Sequence, residues 1–157
     1  MNQKIITFVN KFEEIYLMGK KRAASEVEPL VNCIVDAILD KKGKEVTSLQ
    51  IGKLPNSVCD YFIICHADST TQVHAIAENI EIKVQEILNE KVWKSAGYDN
   101  SIWVLLDFVN VVVHVFQTEW RDFYNIEDLW ADAPIKKYSD EPVLAVKKTP
   151  VRSKKSK

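Results

Sequence analysis

Glycine is scarce in this sequence. Four occur in 157 residues, and none stands in G-x-G-x-x-G or G-x-x-x-x-G-K-[ST] spacing. A loop that cradles phosphate on its backbone N–H groups is therefore not expected. Cysteine is also sparse: Cys33, Cys59 and Cys65 are odd in number, lack C-x-x-C spacing and lie in apolar stretches, which suits buried reduced thiols. No Ser or Cys occupies a nucleophile elbow. There is no secretory signal and no apolar run long enough to span a bilayer, so a cytoplasmic location without membrane contact is expected. Basic residues are thin in the middle of the chain. Residues 25–135 carry eight basic and eighteen acidic side chains, a net −10, between ends of +3 (1–24) and +6 (136–157). That distribution argues against a nucleic-acid-binding core and suits a basic protein as partner, although plain solubility would give the same charge.

Strand-forming residues are abundant in one place. Residues 101–108 and 111–117 are dominated by β-branched and aromatic side chains and flank Val109-Asn110. This pattern predicts a β-hairpin with Asn110 at positive φ. The second strand is apolar on both faces and belongs inside a sheet. Thr118 is the expected N-cap of a short helix containing Trp120, Phe123 and Tyr124, with Glu119 in its first turn.

The remaining elements follow from periodicity. Residues 4–18 have helical spacing of Phe8, Phe12, Ile15 and Tyr16, and a linker follows at Gly19-Lys-Lys-Arg-Ala-Ala, with Met18 a candidate alternative start. Ser25-Glu-Val-Glu28 reads as a capping box with Pro29 in the first turn of a helix that stops at Gly43. Strands are expected at 45–51, 60–66 and near 92–95. A second capping box, Ser69-Thr-Thr-Gln72, opens an amphipathic helix to about residue 90. The expected architecture is one α/β domain over 25–135, with a mixed, about five-stranded sheet flanked by helices and a right-handed crossover through 68–90. Residues 1–24 form an N-terminal extension, and 136–157 a basic tail without apolar periodicity, expected to be disordered.

Candidate chemistry is limited. The Ser69 helix start is explained by capping without a bound anion. His66, Asp68 and His114 fall near neighbouring strands, yet three or four well-placed ligands are needed for a metal, and structural histidines explain them better. Asp60 and Asp107 are the one carboxylate pair on which a nucleotide-binding or nucleotidyl-transfer enzyme would have to rest. Trp103 and Asp107 share a strand face, and Asp107-Phe108-Val109-Asn110 forms the hairpin tip. An aromatic and a carboxylate there match an interface hot spot, while a core role for Trp103 is equally physical. No cofactor is expected.

Five motifs in order carry a resemblance: Asp60-Tyr-Phe-Ile-Ile, Ser69-Thr-Thr-Gln72, Trp103-Val-Leu-Leu-Asp107, Val111-Val-Val-His-Val-Phe116 and Arg121-Asp-Phe-Tyr-Asn-Ile-Glu-Asp-Leu-Trp130. Over roughly residues 27–134 the chain resembles the ribosomal silencing factor, or Iojap, family. The resemblance implies a nucleotidyltransferase-like fold without catalytic residues, hence no enzyme activity. It implies binding to a large-subunit ribosomal protein at the face where the small subunit docks, which blocks subunit joining and lowers translation. By position it implies contact residues at Trp103, Asp107 and Phe108, with Asn110 at the tip; Asp60 and Tyr61 are further contact candidates, with securing the strand start as their alternative role. Two departures stand out: Val109-Asn110 where the family commonly has Gly-Asp, and Thr70-Thr71-Gln72 where it has Ser-Arg-Gln. The basic tail lies outside the resemblance; a solvated tail is the first reading, and contact with ribosomal RNA phosphates is the alternative. A homodimer acting as a scaffold is a third reading.

Overall fold

The computed structural model describes residues 24–139. The helix expected over 4–18 and the segment beyond 139 lie outside them. Two apolar runs form the centre of the sheet: β2 (Tyr61–Ala67) and β5 (Val111–Gln117) pair in parallel, with Tyr61 opposite Val111 and His66 opposite Phe116. Nearly all their residues are buried, as strands covered on both faces require. β1 (Lys44–Leu49) runs antiparallel to β2, while β4 (Trp103–Asp107) runs antiparallel to β5. β3 (Lys94–Ala96) borders β4, and β6 (Ile135–Tyr138) borders β1, both antiparallel. The order across the sheet is β3-β4-β5-β2-β1-β6.

The mixed α/β domain is as expected, with six strands where about five were expected. β6 crosses the boundary placed at 135/136. Its sequence, Ile-Lys-Lys-Tyr, is short and lysine-rich, which is how solvent-facing edges protect themselves. Tyr138 nevertheless ties it down, its hydroxyl lying 3.1 Å from Ser48 Oγ.

Helices α1 (Ala24–Asp40) and α2 (Thr70–Leu88) cover one face. Leu30, Ile34 and Ile38 of α1 meet Ile76 and Ile80 of α2 over Val104, Leu106, Val113 and Val115. The other face is covered by α3 (Thr118–Tyr124), α4 (Ile126–Leu129) and a 3-10 turn at Ile51–Lys53, around Phe62, Ile64, Val112 and Phe116. The three cysteines are free and buried.

Several end signals differ in detail. α1 already includes Ala24, the first described residue, so Ser25 lies inside it and Pro29 falls past its first turn. At the other end Lys42, not Gly43, takes the left-handed conformation (φ 60°). Gly43 N donates to Ile38 O and Lys42 N to Leu39 O, at 3.0 and 2.9 Å, completing a Schellman motif. A Cβ on Gly43 would lie 2.3 Å from Ile38 Cγ2, so glycine is needed there for close approach. Ser69 caps α2 as expected, accepting from Gln72 N at 3.2 Å, but the Gln72 amide reaches out to Lys41 O and Lys42 O. Thr118 is not an N-cap; its hydroxyl donates to Ala67 O at 3.2 Å. In the hairpin turn the residue at positive φ is Val109 (74°), not Asn110.

Candidate functional site: an aromatic face and a hairpin tip

Strand alternation sends Trp103, Leu105 and Asp107 of β4 to the α3 side, along with Val112, His114 and Phe116 of β5. The half-buried Trp103 ring stacks on Phe116 (centroids 4.8 Å apart) and meets Tyr124 at 4.7 Å. Its indole Nε1 donates to His114 Nδ1 at 3.2 Å. That bond assigns the neutral histidine with its proton on Nε2. Complete burial favours the same form, pulling the His114 pKa down to about 3. The ring series continues outward through Trp120 and Phe123, with Trp120–Phe123 centroids 5.6 Å apart.

The hairpin tip is a separate cluster. Asn110 Nδ2 donates to Asp60 Oδ2 at 2.6 Å, while Asn110 O accepts from the backbone N–H groups of Asp60 and Tyr61 at 2.9 and 3.1 Å. Asp107 Oδ1 accepts from Val109 N at 2.7 Å. Asp107 is 3% exposed, Asn110 3% and Phe108 6%. Burial raises the Asp107 pKa, with the Val109 N–H and then Lys94 working against it. Asp60 and Tyr61 are half-buried.

Six expected contact residues therefore occupy two places. Asp107, Phe108, Asn110, Asp60 and Tyr61 converge at the tip. Trp103 stands at the far end of β4, about 13 Å from Asp107 at the strand's rise per residue. Side chains four apart on a strand share a face without touching. Asp107 and Phe108 were expected to point at a partner. Instead they face inward, because the turn consumes the carboxylate and Phe108 joins the core under α1 and α2.

The other candidates separate as well. Asp60 and Asp107 are each bound to a different part of the hairpin tip. His66 Nδ1 accepts from Arg121 at 3.0 Å, Asp68 pairs with Lys44 at 2.5 Å, and His114 accepts from Trp103. Among the described residues no group of three His, Cys, Asp or Glu side chains converges as metal ligands. No helix among them is long and apolar enough to cross a membrane.

One organising residue opens the Arg121–Trp130 motif, yet the sequence gives no sign of its role. Arg121, 7% exposed, donates from Nη2 and Nε to the Glu127 carboxylate at 2.6 and 3.2 Å, and from Nη1 to Glu45 O at 2.8 Å and to His66. It binds α3 to α4, β1 and β2 at once. Its partners are 6, 76 and 55 residues away, so no local spacing reveals them. Burial and the adjacent guanidinium both lower the His66 pKa, keeping it an acceptor. The surface beyond this strut was also not anticipated: Phe123 is 65% and Leu129 45% exposed, among Glu119, Asp122, Asp128 and Asp132, which are all exposed.

Residues 24–157 match the family model described as "Ribosomal silencing factor during starvation". A ribosomal silencing factor of Halalkalibacterium halodurans is 39% identical over 107 residues, 68% of this chain and 90% of that protein. One from Bacillus subtilis is 43% identical over 96 residues, 61% and 80% of the two. A crystal structure of a Chromobacterium violaceum protein, 32% identical, superposes with a TM-score of 0.64 over 76% of this chain and 92% of that one.

Proposed function

Because this chain belongs to the ribosomal silencing factor family, we propose that it binds a basic protein of the large ribosomal subunit where the small subunit docks. Occupying that surface blocks subunit joining and represses translation. The observation that carries this reading is the family match across the whole described domain. The −10 charge of residues 25–135 supports a basic protein as partner, since complementary charge speeds encounter and excludes wrong partners. The proposed action is that of a binding factor in the cytoplasm, not of an enzyme.

Trp103 is the proposed aromatic anchor, because its ring is partly exposed and held in one orientation by Phe116, Tyr124 and His114. Asp60 and Tyr61 are proposed as the contacts at the tip. Asp107, Phe108 and Asn110 are proposed to act there by holding the hairpin's shape, a role their burial supports.

The test is co-sedimentation of the purified protein with separated ribosomal subunits, wild type beside Trp103→Ala. Pelleting with large subunits alone, lost in the variant, is the expected result. Wild-type protein that pellets with neither subunit ends the proposal.

A further inference from the structure

The surface formed by α3 and α4 is unusual in composition. Residues 118–132 contain five carboxylates and one cation, and that cation, Arg121, is buried against one of the five, Glu127. The other four, Glu119, Asp122, Asp128 and Asp132, are exposed, and among the described residues none forms an ion pair. They share residues 118–132 with the Trp120, Phe123 and Tyr124 rings, which pack on one another and whose most exposed member is Phe123. Carboxylates beside open aromatic faces suit lysine and arginine, through both charge and cation–π attraction.

The chain itself carries such a ligand. Residues 147–157 hold Lys147, Lys148, Arg152, Lys154, Lys155 and Lys157 and no acidic side chain. The last described residue, Ser139, lines a cleft of about 480 Å³ together with Arg121 and Glu127. The described chain thus ends beside Arg121 of α3 and Glu127 of α4. Residues 140–146 span up to about 25 Å when extended, whereas the seven residues of α3 are about 10 Å long. The cations can reach every carboxylate on that surface, and tethering gives them a high effective concentration.

We propose that the α3–α4 surface is the docking site for the chain's own basic segment, residues 147–157. Docked there, it lies beside Trp103, since Tyr124 of the same aromatic group packs on that ring, and it competes with the ribosomal partner. The competition rests on the function proposed above; the docking does not.

The experiment has two arms, both with the full-length chain. In the first, carbodiimide couples amines to touching carboxylates at low salt in dilute protein mixed with an isotope-labelled copy, and the products are mapped. Coupling within one chain from the segment's lysines to Glu119, Asp122, Asp128 or Asp132, suppressed by salt, is expected. Coupling spread equally over Glu26, Asp36, Glu78 and Glu86 of α1 and α2, or found only between copies, overturns the docking. In the second arm the six cations are replaced by glutamine (Lys147→Gln and its five counterparts) and large-subunit binding is measured at low salt. Binding should tighten by roughly three- to tenfold, as expected when several exposed pairs and a tether are lost. Unchanged or weaker binding overturns the competition, weaker binding meaning that the segment contacts the ribosome instead. Intrachain coupling in a protein that binds neither subunit would leave the docking in place and remove the ribosomal function.

Discussion

Trp103 and His114 are joined side chain to side chain across the β4–β5 pair, indole Nε1 donating to imidazole Nδ1 at 3.2 Å. A half-exposed ring is thereby held by a fully buried one. The arrangement limits how far the tryptophan can turn and gives one residue both a packing and a recognition role.

Trp103→Ala should leave a folded domain less stable by about 2–4 kcal/mol, below the upper range for a fully enclosed tryptophan because the ring is partly in solvent. Large-subunit binding should be lost. Trp103→Phe keeps the stack on Phe116 and removes the donor, so a loss of only about 1–2 kcal/mol is expected. Urea unfolding of both variants, followed by co-sedimentation, checks this. Loss of folding in Trp103→Ala, seen by circular dichroism, would make the residue purely core and remove it from the contact surface.

Stability should depend on pH through His114. Its pKa is about 3 in the folded chain, against 6.5 for an ordinary histidine, so between these limits the unfolded chain binds the extra proton. Stability is unaffected above about pH 6.5 and falls as the pH drops toward 3, by roughly 3–5 kcal/mol in full. His66 is shifted in the same direction, while the raised pKa of Asp107 acts oppositely, its protonation relieving a buried charge on acidification. Denaturation midpoints between pH 4 and 7 should therefore slope less steeply in His114→Leu than in the wild type. Equal slopes would contradict this assignment.

Arg121→Lys should be costly although the charge is kept. The guanidinium fork serves Glu127, His66 and Glu45 O together, and a single ammonium cannot reproduce that geometry. A loss of about 2–4 kcal/mol is expected, allowing for the partial solvent access of Glu127. Thermal unfolding monitored by circular dichroism reads it directly. A variant as stable as the wild type would show that the strut contributes little.

These residues also show where sequence reading succeeds. The Val111–Phe116 run, the Ser69 cap and the amphipathic spacing of α2 are local patterns with a fixed physical cause, and each appears in the structure where its spacing places it. Arg121 depends on partners from three other elements, so nothing near it in the chain announces its role. β6 was concealed by the lysines that protect it as an edge. Trp103 and Asp107 illustrate a subtler limit: period-2 alternation gives the shared face correctly but says nothing of the separation along the strand. The inward turn of Asp107 depends on the geometry at Val109, which residue preference assigned to Asn110.

Val109 supplies the last prediction. Its φ of 74° places a β-branched side chain in a region such residues rarely enter, and Asn110 N donates back to Phe108 O at 3.0 Å, closing a three-residue γ-turn. Strain of this kind costs about 1–3 kcal/mol. Glycine adopts the conformation freely but loses about 0.5–1 kcal/mol of backbone entropy on folding. Val109→Gly should therefore stabilise the domain by about 0.5–2 kcal/mol, seen as a higher urea midpoint with an unchanged slope. The neighbouring bonds Asp107 Oδ1 to Val109 N and Asn110 Nδ2 to Asp60 Oδ2 hold the turn in place, so relieving the strain should not move Asp60 or Tyr61, and large-subunit binding should stay within about twofold of wild type by the same argument from a preserved geometry. A lower midpoint would mean that the valine side chain contributes more packing than its backbone costs.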